Sequence, residues 1–201
     1  MRAASAPGAA DPIKPLASVS QSELQNGIDR IFRSTLSPLS VGLSALYAVL
    51  AVAYALREPH ETGVPLALAA LLTSLTCLAI RILIGRKSTP VQWAAPIGAF
   101  MLSLVAGNCL LLLYLLKEPH QSVNLLIVIM CGGFVLLSRR WLALFLVFAF
   151  GGWCIVVLLV DTYNELWTEY GIALFYATAL SILAHIVRRR SMEKLERYRV
   201  Q

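Results

Sequence analysis

Six apolar stretches, separated by short polar or charged breaks, set the plan of this 201-residue chain. They run roughly from Pro38 to Leu56, Val64 to Ile84, Trp93 to Leu116, Ser122 to Leu137, Trp141 to Val160 and Gly171 to Val187. Each is close to the ~20 residues a helix needs to cross a bilayer. The pattern predicts an all-α, polytopic membrane protein with six transmembrane helices arranged as three hairpins. Ahead of the first span, Ser20 and Glu23 form a capping-box pattern. Beyond it, Leu24, Ile28, Ile31, Phe32 and Leu36 fall on one side of a helix, with Glu23, Gln25, Asn26, Asp29 and Arg30 largely on the other. Residues 21–37 are therefore expected to form a short amphipathic helix, either lying on the membrane face or simply solvated. The first span would then enter after Ser37-Pro38. Residues 1–20 are rich in Ala, Pro and Ser and lack the apolar core of a secretory signal, so they read as a disordered leader.

Composition agrees with this plan. Hydrophobic residues make up 58% and charged residues 14% of the chain, against roughly 25% charged in soluble domains. The net charge of +6 does not point to nucleic acid, because no soluble domain is left to present a basic face. Its placement is a topology signal instead. Of the seventeen Lys and Arg residues, all but Arg57 and Lys117 fall on one side of the alternating spans. The positive-inside rule puts that side, and both termini, in the cytoplasm, with the chain in the cell inner (plasma) membrane. Trp93, Trp141 and Trp167 lie near predicted span edges, where indole rings favour the headgroup layer.

An internal repeat reinforces the hairpin reading. Arg57-Glu58-Pro59-His60 closes the first span and Lys117-Glu118-Pro119-His120 closes the third, sixty residues later. Both copies would face outside, in a rim with Glu61, Asp161, Glu165 and Glu169. Two imidazoles among carboxylates, chiefly Glu58, His60, Glu118, His120, Asp161 and Glu165, could bind a divalent cation or respond to pH. The simpler reading is a polar turn in which proline ends a helix.

Inside the spans, Asp, Glu and Lys are absent away from the edges. Arg81 and His185 sit near the inner boundary, where such side chains can reach the surface. A proton-coupled carrier would be expected to hold a buried acid or charged pair at mid-depth. Ala173, Ala177, Ser181 and His185 fall four apart on the sixth span, a stripe that lets another backbone come close. Packing within the chain explains it most economically, a homodimer seam being the alternative. Cys77, Cys109, Cys131 and Cys154 lie singly in different stretches, so neither a zinc site nor a disulfide framework is indicated. No catalytic motif and no cofactor signature is present.

The last span runs straight into Arg188, Arg189 and Arg190 and then a charged tail, residues 188–201, with no Gly or Pro to stop the helix. Met192, Leu195 and Tyr198 in that tail fit the start of a coiled coil or a helix resting on anionic headgroups. The disordered leader, the segment GIDRIFRSTLSPL, six spans and the basic exit HIVRRRSMEKLERYR together resemble the N-terminal membrane-sensor (MASE-type) regions of bacterial signalling proteins. That resemblance implies a sensor passing a stimulus through the sixth helix to a histidine kinase, diguanylate cyclase or adenylate cyclase domain, usually as a dimer. The output domain is then expected in cis beyond Gln201 or in trans on another protein. A small-molecule carrier, with Asn108 lining a central pocket, and a passive anchor are the alternatives.

Overall fold

The computed structural model describes residues 21–85, 90, 93–160 and 165–200. The leader, Arg86, Lys87 and Asp161 lie outside the described residues, as do the side chains of Leu24, Ile28, Ile31, Phe32 and Tyr198. Six α-helices follow in order: α1 (Gln21–Arg57), α2 (His60–Gly85), α3 (Ala94–Leu116), α4 (Ser122–Val135), α5 (Arg139–Leu159) and α6 (Glu165–Val200). A 3-10 turn, Pro119–Gln121, precedes α4. No strand occurs among the described residues. The chain is an all-α membrane protein, with five helices long and apolar enough to cross a bilayer.

The fourth expected span is the exception. α4 has 14 residues, and even with its 3-10 turn the apolar segment Pro119–Val135 stays below spanning length. At 1.5 Å per residue α4 covers about 21 Å, against ~30 Å of hydrocarbon. The expected span to Leu137 is cut short because Leu136 turns to an extended backbone, φ −81° and ψ 117°. Ser138 is also extended and opens α5. Leu136 and Leu137 are nonetheless buried, so apolarity alone gave no sign of the break.

No helix break marks the entry expected at Ser37-Pro38. α1 is one helix of 37 residues with Pro38 inside it. Proline removes one backbone donor, a loss that membrane helices tolerate when side chains re-satisfy local groups. Next to the ring, Ser40 Oγ donates to the Ser37 carbonyl at 2.8 Å, which is not the carbonyl that loses its donor. Arg33 lies well beyond the helix start and reaches the Ile84 carbonyl at the end of α2, 2.8 Å away.

Both copies of the repeated turn do connect a helix pair. In the first, Gly63 N–H donates to the Pro59 carbonyl at 2.7 Å. In the second, Lys117 adopts a left-handed backbone and donates to the Leu113 carbonyl at 3.0 Å before Pro119 restarts the chain. α1 and α2 pack along their length as the first hairpin. Beyond it the packing leaves the chain order: α3 lies mainly on α5 and α4 on α6, while the neighbours α5 and α6 scarcely touch. The exchange depends on glycines. A methyl group at Gly152 would stand 2.5 Å from Leu110 of α3, and one at Gly132 the same distance from Phe145 of α5.

Sparse polar bonds stitch the apolar helices together. Ser74 Oγ donates to the Ser44 carbonyl at 2.8 Å, joining α2 to α1. The Asn108 amide donates to Thr73 Oγ1 at 2.6 Å, joining α3 to α2. Such bonds are each worth about 1 kcal/mol inside a bilayer. Asn108→Leu is therefore expected to lower stability by about that amount, measured by thermal unfolding in detergent, with helix content unchanged.

Candidate functional site

Among the described glycines the tightest approach is that of Gly133, in α4, to α6. Gly133 has no side chain, and any Cβ built there would overlap the Ser181 backbone. Only glycine lets α6 cross α4 this tightly. One turn further along α6, His185 meets the end of α4: its Nδ1 lies 2.7 Å from the Leu136 carbonyl. That carbonyl belongs to a buried, non-helical turn, and such backbone survives in an apolar bundle only where a partner is supplied. His185 supplies it. Because a carbonyl only accepts, Nδ1 carries the proton, and Nε2 of the neutral ring is left as an acceptor.

The clasp is incomplete. His185 Nε2 and Ser181 Oγ are both buried without a hydrogen-bond partner, in side chains 3% and 1% exposed. Each unsatisfied buried group costs about 1–3 kcal/mol. The whole small-residue stripe faces inward, with Ala177 buried and Ala173 half-buried. Arg188 and Arg189 follow half-buried, and Arg190 is exposed.

Before it reaches the clasp, α6 borders an apolar cleft of about 460 Å³ against α5. Trp153 and Val157 of α5 and Trp167, Gly171, Phe175 and Tyr176 of α6 line it. The cleft exists because α5 and α6 part here and lean on two indoles whose centroids are 6.4 Å apart. Trp153 is held in place by its N–H bond to Ser122 Oγ, 3.0 Å, at the start of α4. Gly171 leaves the indole room, since a methyl there would sit 2.9 Å from Trp153. Trp167, near the start of α6, is buried against Trp153. The sequence signal for this cleft was limited to aromatic spacing, because Trp153 and Trp167 come together only through tertiary packing.

Of the carboxylates and imidazoles expected to form an outer rim, Asp161 lies outside the described residues. Glu118 and His120 touch at 3.0 Å across their own turn, both well exposed, an arrangement of little energetic weight. His60 opens α2 and Glu165 opens α6, each exposed, and Glu58 is half-buried. Among the described residues no three His, Cys, Asp or Glu side chains are placed to hold a metal ion. The Asn108 amide bonds Thr73 Oγ1 and the Leu104 carbonyl.

No family model, curated protein or solved structure matches this chain. Its function has therefore to be argued from the arrangement of α4, α5 and α6.

Substitutions separate close packing from polar bonding in the clasp. Gly133→Ala is expected to destabilise the protein by at least 1 kcal/mol, in the range of overpacked cores. Gly107→Ala and Gly151→Ala, where a methyl meets nothing within 4 Å, should be neutral. Ser181→Ala removes an unsatisfied hydroxyl and should leave stability unchanged or raise it. His185→Leu orphans the Leu136 carbonyl and should cost about 1–3 kcal/mol. Thermal unfolding of the five proteins in one detergent checks the set.

Proposed function

We propose that this chain is a membrane sensor and relay, in which α6 carries a stimulus from the aromatic cleft to a signalling partner at the arginine-rich end. The observation that carries this reading is the continuity of α6. Its 36 residues run from Glu165 to Val200 without a break, about 54 Å of rod against a ~30 Å hydrocarbon core. Three stations follow one another along that rod. Residues 167–176 border the cleft, 177–185 form the clasp with α4, and Arg188 to Arg190 lead out of the apolar band.

An apolar occupant of the cleft would press on the face of α6 one to three turns before the clasp. The clasp is the element to be biased: it is tight in backbone approach yet leaves two polar atoms unsatisfied. A small rotation of α6 offers Ser181 and His185 new partners, so a second arrangement lies within a few kcal/mol. The distribution of Lys and Arg supports placing the exit of α6 in the cytoplasm of a bacterial cell. There a kinase or cyclase domain, in cis or in trans, would receive the movement, as the likeness to six-helix sensor regions implies. A carrier finds less support, because Asn108 is engaged between α2 and α3.

Insertion of one to four alanines after Val187, ahead of a fused cyclase reporter, tests the relay. Each residue turns the following helix by about 100°, so output should rise and fall with insertion length and return near four residues. Output that ignores insertion length would contradict a rotating or sliding helix and favour a passive anchor.

A further inference from the structure

We propose that the cleft between α5 and α6 binds an uncharged, planar, conjugated ring compound dissolved in the bilayer and, resting on the relay reading of α6, that this ring is the stimulus. At about 460 Å³ the cleft has the size of a small-molecule site. Trp153, Trp167, Phe175 and Tyr176 supply half of its eight lining residues, in a chain that is 9% aromatic. Rings are thus concentrated where the two helices part. The lining carries no charged side chain, so an ion would enter without a partner.

Apolarity alone selects nothing here, because acyl chains are as apolar as the lining. They reach the cleft at Phe175 and Tyr176, which are 64% and 63% exposed. A resident ligand has to offer an interaction that lipid tails lack. A ring does so: each offset or edge-to-face aromatic pair strengthens binding by about 2- to 13-fold beyond the effect of buried area.

The walls are arranged for such contacts before anything binds. Trp167, Gly171 and Phe175 fall four apart on α6, so they share one stripe. The stripe reads ring, gap, ring over about 12 Å of helix. Gly171 makes the gap, and across it stands the Trp153 ring, 2.9 Å from where a methyl group would sit. Trp153 and Trp167 are inclined at 53°, and the bond from the Trp153 N–H to Ser122 Oγ fixes the first of them. At the exposed rim Phe175 and Tyr176 meet edge to face, with centroids 6.3 Å apart. A flat ring that enters over Gly171 meets aromatic side chains on both helices, whereas an acyl chain gains nothing from their orientation.

The test is photolabelling of the full chain in phosphatidylcholine nanodiscs, with labelled peptides mapped by mass spectrometry. One probe is an uncharged naphthyl diazirine, the other a phosphatidylcholine with a diazirine in its acyl chain. Naphthyl labelling should saturate, concentrate on residues 153–157 and 167–176, and be displaced by 2-methylnaphthalene but not by hexadecane. The acyl probe should spread over the exposed faces of all the long helices. Gly171→Leu fills the gap and should abolish saturable labelling. Because that change also presses on Trp153, the deciding variant is Phe175→Leu with Tyr176→Leu, both exposed, which should raise half-saturation about 5-fold or more. Phe100→Leu with Phe134→Leu, exposed rings of α3 and α4 outside the cleft, should leave it unchanged. Unsaturable or evenly spread naphthyl labelling, equal displacement by hexadecane, or an unchanged half-saturation in the Phe175 and Tyr176 pair would each overturn the ring site. The labelling needs no signalling output, so its failure leaves the relay to the alanine insertions. Saturable labelling beside output that ignores insertion length upholds the site and overturns its role as stimulus.

Discussion

The α4–α6 contact at Gly133 and Ser181 is the constraint on which the rest of this bundle depends. α4 is too short to act as an independent span, so it has to be held by its neighbours. Its paired glycines allow this from two directions, with Phe145 of α5 over Gly132 and the α6 backbone over Gly133. Loss of either contact would leave a short apolar helix and a buried non-helical turn without support. The departure from simple hairpin packing follows, because α6 is drawn onto α4 and away from α5. The aromatic cleft is the space left behind.

Magnitudes show what holds the clasp. One bond from His185 to the Leu136 carbonyl contributes about 0.5–1.5 kcal/mol net. Two unsatisfied polar atoms cost about 1–3 kcal/mol each. Hydrogen bonding therefore does not stabilise the clasp on balance, and the favourable term is close van der Waals contact between glycine and backbone. A contact of that kind is specific in position and sensitive to sub-ångström shifts. It suits an element that answers a small displacement at the cleft.

Much of the architecture was readable from the pattern of apolar residues, because bilayer thickness dictates the length of a spanning helix. The helical class, five long apolar helices, both Glu-Pro-His turns and the unbroken run from the last span into Arg188 to Arg190 all carry local signals. Other features did not. Leu136 and Leu137 look like helix in an apolar run, and only the tertiary partner His185 makes their turn tolerable. Pro38 signals a boundary locally, yet the flanking residues and the anchorage of Arg33 on Ile84 go with a continuous helix. The stripe from Ala173 to His185 announced a close approach without naming its partner. The rim of Glu58, His60, Glu118 and His120 was legible as polar turns, whereas sequence spacing says nothing about whether separate turns converge.

The central claim is that α6 passes rigidly from the clasp through the arginines. Spin labels at Leu180 and Lys194, introduced together into the otherwise unaltered chain, report on it directly by pulsed dipolar distance measurement. Fourteen helical residues separate backbone positions by about 21 Å, and one narrow distribution near that value is the expected result. A broad or two-peaked distribution, or a clearly shorter distance, would place a break near Arg189 and contradict the account.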